Sequence, residues 1–239
     1  MALVKKHNRF GLPALPVEAA ADRTPLWQAL LYTLYLAHVL LGITWSFYDP
    51  AQYQRFIIED GYIEQATALI LLATSILCLY RAFTLKQRLP VAFYAATALL
   101  FFFGFGEEIS WGQRIFGFGT PEELQKINTQ QEFNFHNIYV GNIHLNQLIF
   151  GLGAYTLLFI YFLLFPVLYR LQAWFRKWVD RLYLPIPTTL QSVLYTLSFF
   201  SLLLIQEDRK WEMQEFALAG CIFLTFLLPF NRSRQNKQY

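Results

Sequence analysis

Two carboxylates stand side by side at Glu107-Glu108, inside the block Gly106-Glu107-Glu108-Ile109-Ser110-Trp111-Gly112-Gln113-Arg114. A third, Glu132, lies four residues before His136 in the run Asn128-Thr129-Gln130-Gln131-Glu132-Phe133-Asn134-Phe135-His136-Asn137. Asn128, Glu132 and His136 fall at i, i+4 and i+8 on one face of a helix, and in an extended chain Glu132, Asn134 and His136 share a side instead. Both geometries align Glu132 with His136. This pair therefore heads the candidate catalytic set, with Glu107 and Glu108 as partners. Carboxylate and imidazole together suit acid–base work, because a carboxyl in apolar surroundings is drawn toward neutral pH. They also suit a metal: Glu and His donors fit Zn or Fe, whereas an all-oxygen set fits Ca or Mg.

The cofactor is left open at this level, with a divalent ion, Zn or Fe, as the candidate. Its expected ligands are Glu64, Glu108, Glu132, His136, His144 and Glu212. Arg114 is placed to hold an anionic group, and Trp111, Asn128, Gln130, Asn134 and Asn137 offer donors and acceptors suited to a sugar or phospholipid headgroup. Two further acidic stripes support one site: Asp60 and Glu64 on a helix that also carries Thr67, Thr74 and Cys78, and Asp208, Glu212 and Glu215 at i, i+4 and i+7. Plainer readings remain for each group. Glu107 and Arg114 share a helical face and can be an internal ion pair, acids at a helix start can simply complement its dipole, and a His beside a carboxylate can be structural. Thr120-Pro121-Glu122-Glu123 reads as a helix start with Thr120 as N-cap and Glu123 closing a capping box, which takes Glu122 and Glu123 out of the site.

The elements that must position these groups are membrane spans. Of 239 residues, 56% are hydrophobic and only 15% charged, far from the balance of a soluble domain, where about a quarter of residues are charged. Disorder and a disulfide scaffold are excluded by the same figures, and Cys78 and Cys221 both lie in apolar stretches. A span needs about 20 mostly apolar residues. Six segments qualify, at about 26–48, 61–80, 89–116, 144–169, 182–206 and 211–230, with an extracytoplasmic loop at 117–143. The third runs into Glu107-Glu108 without a breaker and is expected to stay helical to Phe116. Pro13, Pro16 and Glu18 argue against a cleavable signal peptide. The expected fold is a single all-α membrane bundle, and His38, alone in the first span, is expected to bond between helices.

Charge sorts by side. Fourteen of the 19 Lys/Arg residues fall in alternate flanking segments that include both termini, which by the positive-inside rule puts the termini in the cytoplasm. Thirteen of the 16 acidic residues lie on the other side or in the adjoining helix ends. Basic residues that serve as topological flanks make no case for nucleic acid. Arg170 to Arg181, with Trp174 and Trp178, reads as an interfacial segment facing anionic lipid.

The Glu107–Arg114 block, the Asn128–Asn137 loop and Glu59-Asp60-Gly61 with Glu64 resemble a group of uncharacterised bacterial multi-pass membrane proteins carrying an E-E-x-S-W-G-Q-R block and an N-x-Q-x-E-x-N-x-H-N loop. The resemblance spans most of residues 55–145. It implies a bacterial inner-membrane protein with a polar site and brings no activity with it. Ceramidase-like and adiponectin-receptor-like intramembrane hydrolases also place a metal near one membrane face, but this chain lacks their three-His, Ser and Asp pattern, so they are an analogy of architecture only. Soluble-enzyme signatures such as H-E-x-x-H, G-x-S-x-G, the P-loop and C-x-x-C are absent from the sequence. The favoured function is processing of a lipid or lipid-linked substrate at the extracytoplasmic face, metal-assisted. A proton- or cation-coupled transporter and a non-catalytic membrane subunit that offers its acidic face to a partner protein are the rivals.

Overall fold

Apolar stretches free of charge fold as helices here because a chain in hydrocarbon must satisfy its backbone groups within the same segment. The computed structural model describes residues 25–58, 60–128, 130–135, 138–140, 143–144, 153–207 and 209–232. Its helices in chain order are α1 (Leu26–Tyr48), α2 (Pro50–Phe56), α3 (Tyr62–Thr84), α4 (Arg88–Glu108), α5 (Gln113–Phe116), α6 (Glu122–Ile127), α7 (Ala154–Phe159), α8 (Phe165–Leu171), α9 (Ala173–Leu182), α10 (Thr189–Leu203) and α11 (Lys210–Leu227). A two-residue antiparallel pairing, β1 (Tyr139–Val140) with β2 (Ile143–His144), and a bridge between Asn128 and Ile138 interrupt an otherwise all-α fold.

Among the described residues, four runs are long and apolar enough to cross a bilayer: α1, α3, α4 and Ala154–Leu171. The last joins α7 to α8 through a π-helical turn at Ile160–Leu164. Pro166 explains the turn, since it has no N–H to give the Phe162 carbonyl four residues back. Ser192 Oγ of α10 donates to that oxygen instead, at 2.7 Å. Two expected spans fall short of this measure. α10 has 15 residues, about 22 Å of helix against the roughly 30 Å of a hydrocarbon core. It starts at Thr189 and not near Leu182 because Pro185 and Pro187 hold the preceding chain extended. α11 has 18 residues and carries Lys210, Glu212 and Glu215 in its first turns. Of the span expected over 144–169, residues 145–152 lie outside the described residues, helix is described from Ala154 onward, and the His144 backbone pairs with Tyr139.

Large apolar side chains cover the outside, among them Leu30, Leu99, Leu100, Leu157, Leu197 and Phe200, each more than half exposed. A soluble monomer does not present so continuous an apolar surface. This is the surface of a protein embedded in a membrane. The interior is an aromatic and aliphatic core in which Tyr35 and Val39 of α1, Tyr195 and Leu202 of α10, and Met213 and Phe216 of α11 meet. Gly220 lets Tyr35 approach: a Cβ there would lie 2.7 Å from the ring.

Gln191 locks the end of this core. With Thr188 it forms a complete capping box at the start of α10, its Oε1 accepting from the Thr188 N–H at 2.8 Å. Its Nε2 donates to Tyr32 Oη and to the Leu224 and Leu228 carbonyls, at 2.9, 3.0 and 3.1 Å. One buried amide thus closes a helix start, a helix end and a neighbour. Gln191→Leu leaves these groups unpaired in an apolar setting and is expected to destabilise the protein by about 2 kcal/mol or more. A melting midpoint in detergent that matches the unaltered protein would contradict this account.

Candidate functional site

α4 ends where the polar chemistry begins. Ser110, Trp111 and Gly112 all have positive φ, at 44°, 54° and 75°, so the backbone turns left-handed for three residues before α5. The continuous helix expected to Phe116 is therefore corrected to one that stops at Glu108. Side chains cannot continue the α4 faces through this turn, and the internal Glu107–Arg114 pair, the plainer of the two readings of these residues, gives way to another. Arg114 is directed away to Asp60 and Glu132, making an ion pair with each.

What holds three left-handed residues in place is a dense set of hydrogen bonds. Trp111 Nε1 donates to Glu107 Oε1 at 2.7 Å, folding the indole back over Gly106, where a Cβ would meet the ring at 2.9 Å. The other Glu107 oxygen accepts from the Phe135 N–H at 2.7 Å. Ser110 Oγ donates to Glu132 Oε2 at 2.5 Å, and Asn134 Nδ2 donates to the same oxygen at 3.1 Å and to Ser110 Oγ at 3.1 Å. Asn128 closes the loop on itself: its Nδ2 donates to Asn134 Oδ1 at 2.9 Å, and its Oδ1 accepts from the Gln130 and Glu132 N–H groups at 2.9 and 3.3 Å. Gln113 Oε1 accepts from the Phe133 N–H at 2.8 Å while its Nε2 donates to Thr120 Oγ1 at 2.9 Å. The Thr120 hydroxyl is thereby taken from the capping box expected of it, and α6 starts one residue later with Pro121 as N-cap and no side-chain cap bond.

The sequence-derived candidates thus separate into two groups. Glu107, Trp111, Arg114, Asn128, Gln130, Glu132 and Asn134 are brought together in a strap that runs from the end of α4 through residues 128–135. Both Glu107 oxygens and both Glu132 oxygens accept bonds there, and the Asn128 amide is used at both ends, its Nδ2 donating and its Oδ1 accepting. The Arg114 charge is matched within the fold by two carboxylates. His136 and Asn137 lie outside the described residues, as does the side chain of His144.

Glu108 behaves differently from its neighbour. It is partly buried, makes no hydrogen bond among the described residues, and its carboxylate interacts, strongest first, with the charges of Glu215, Glu212, Glu64 and Glu107. Carboxylates from α3, α4 and α11 therefore converge at one end of the bundle. Glu64 is buried and its Oε2 accepts the Asp60 N–H at 2.7 Å, while Glu212, also buried, accepts from Arg209 Nη2 at 2.9 Å. Glu215 was legible on the same stripe as Glu212 and belongs with the group. Among the described residues, no three His, Cys, Asp or Glu side chains stand close enough to hold a metal ion as they are.

One neighbour had no signal in the sequence. Tyr53 of α2 is fully buried, its hydroxyl has no hydrogen-bond partner among the described residues, and Glu207 and Glu212 lie within electrostatic range. Burial first, and then the charges of Glu207 and Glu212, push this hydroxyl well above the ordinary tyrosine range. It stays a neutral donor. His38 is tied between α1 and α3, with Nε2 2.5 Å from Tyr62 Oη and Nδ1 2.6 Å from the Leu34 carbonyl.

With this geometry in view, the chain matches no protein-family model, no curated protein and no solved structure. What it does has to be argued from its own residues.

The strap makes a direct test. Glu132→Ala removes the acceptor of Ser110, Asn134 and Arg114 together, and the Gln130, Phe133 and Phe135 amides are expected to exchange with solvent about tenfold to a hundredfold faster, the equivalent of about 1–3 kcal/mol of local stability. Glu108→Gln is expected to leave those amides unchanged. Equal acceleration in both variants would show that the two carboxylates do not divide the work in this way.

Proposed function

We propose that this is a multi-pass protein of the bacterial inner membrane that processes a lipid or lipid-linked substrate at its acidic end, with Glu108 as the acid–base or cation-holding group. In this reading α10 and α11 complete six spans, the termini are cytoplasmic and the acidic end faces outward, as the distribution of Lys and Arg favours. The observation that carries the proposal is the contrast between adjacent residues. Glu107 has both oxygens committed to the strap, and Glu108 is left among the charges of Glu64, Glu107, Glu212 and Glu215. Carboxylates gathered in a medium of low polarity require a shared proton or a bound cation. A proton there is available to a leaving group, and a cation there can polarise a phosphoryl or carbonyl oxygen.

The donor set bears on which cation. The described donors in this group are oxygens, which suits Ca, Mg or Mn better than Zn or Fe. His136 and His144 would supply nitrogen if they join. Glu132, with its oxygens filled, is better read as a positioning residue for this loop than as the nucleophile or base.

A second reading has its own support. A buried chain runs from Cys221 Sγ to Tyr35 Oη at 3.1 Å and on to Ser198 Oγ at 2.8 Å, while Tyr155 Oη donates to Gln214 Oε1 at 3.0 Å one residue from Glu215. Tyr195, whose hydroxyl is unpaired among the described residues, lines the small cavity between these two sets. Such a polar track below a carboxylate cluster favours a proton- or cation-coupled transporter.

The two readings separate experimentally. Divalent cations are expected to raise the melting midpoint of the purified protein, and Glu108→Gln and Glu215→Gln are each expected to abolish the shift. Incubation with total membrane lipid is expected to yield a product, detected by mass spectrometry, that Glu108→Gln does not form. No product, together with cation- or proton-driven flux in proteoliposomes that Glu108→Gln blocks, would replace the processing reading with transport.

A further inference from the structure

The opposite end of α4 carries a second site. α9 is a ten-residue helix whose faces divide cleanly. Phe175 and Val179 are buried against Tyr169 and Ile186. Next round the helix come Trp174 and Trp178, 66% and 48% exposed, and beyond them Lys177 and Arg181, one turn apart and both exposed. Across from this basic edge stands Arg88, the first residue of α4. Between them lies an open cleft of about 550 Å³ lined by Arg88, Lys177, Arg181, Asp180, Gln87 and Tyr183, among others.

The basic residues of this region fall into two sets. Arg170 and Arg176 are built into the fold: Arg176 donates to the Tyr169 and Arg170 carbonyls at 2.9 and 2.7 Å, closing the end of α8, and Arg170 donates to Thr189 Oγ1 at 3.0 Å. Arg88, Lys177 and Arg181 make no ion pair or side-chain hydrogen bond among the described residues. The acidic side chain in the cleft, Asp180, already accepts from Tyr169 Oη at 2.7 Å. Among the described residues, three cations that make no ion pair, from two helices, therefore outnumber the one carboxylate, Asp180, in a single concave space. We infer that the cleft between the start of α4 and α9 binds the phosphate of an anionic phospholipid.

The chemistry and the depth agree. Two guanidinium groups offer paired N–H donors suited to a phosphodiester, and Lys177 adds a point charge. The cleft lies at the first residue of a spanning helix, which is headgroup depth, and exposed Trp174 and Trp178 flank it on the side where indole rings settle at a membrane interface. A site for a soluble anion has no use for this aromatic border. The cleft is separated from Glu108 by the length of α4, 21 residues or about 31 Å, so the inference does not rest on the proposed activity.

The test uses the full chain in nanodiscs of mixed phosphatidylcholine and phosphatidylglycerol, with the lipid retained after release read by native mass spectrometry. The protein is expected to retain phosphatidylglycerol in preference. Arg88→Gln and Arg181→Gln are each expected to lower that preference about fivefold, and the triple variant with Lys177→Gln is expected to erase it. Lys86→Gln, exposed and outside the cleft, is expected to change nothing. The single variants keep the test decisive if the triple variant does not fold. Preference unaltered in both single variants would overturn the inference, and displacement of the lipid by millimolar inorganic phosphate would overturn its assignment to a lipid.

Discussion

Hydrocarbon offers no water to a stray N–H or C=O, and the rest of this structure follows from that constraint. Each departure from regular helix is answered by a specific partner. Pro166 robs the Phe162 carbonyl of its donor, and the Ser192 hydroxyl supplies one. Pro185 and Pro187 hold residues 184–188 outside helix, and Asn231 accepts from the Ile186 N–H and donates to the Leu184 carbonyl. The left-handed turn after α4 is answered by many partners, the side chains of the strap. Polar residues are concentrated where helices end because that is where backbone groups need them.

This explains why two glutamates in succession do different work. Glu107 follows Gly106, on which Trp111 folds back, and so accepts the indole N–H and then the Phe135 N–H. A carboxylate with two N–H donors is settled by the fold. Glu108, about 100° further round the last turn of α4, faces α3 and α11 and meets carboxylates instead of donors. The block that looked like one constellation is thus a brace with a single residue left over.

Much of the frame was legible. Charge-free runs located α1, α3 and α4, because a period of apolar residues long enough to span depends on composition alone. Glu212 and Glu215 on one face of α11 and the position of Glu64 were visible for the same reason, since regular helices fix which residues share a face; Asp208, placed on the same stripe, lies outside the described residues. The failures share one cause: they are places where the period stops. Nothing in Ile109-Ser110-Trp111 announces left-handed backbone, as neither Ser nor Trp favours it, so Arg114 was assigned to the wrong side. Thr120 has the signature of an N-cap, and long-range competition from Gln113 took its hydroxyl. Tyr53 had no signal because its burial in the core, within electrostatic range of Glu207 and Glu212, is set by how the short α2 folds back after Asp49.

The clasp around residues 184–191 has a bearing on how the chain is made. The Leu184 carbonyl and the Ile186 N–H wait for Asn231, 47 and 45 residues later, and the Gln191 amide waits for the carbonyls of Leu224 and Leu228. At a synthesis rate of about 5–20 residues per second, that gap is roughly 2–9 seconds. Throughout it, the start of α10 has its own capping box and Tyr32, while the Leu184 carbonyl and the Ile186 N–H lack the Asn231 side chain. The contacts that hold the start of α10 to the end of α11 are thus among the last in the described chain to become available, and making them joins the final helix to the rest of the bundle.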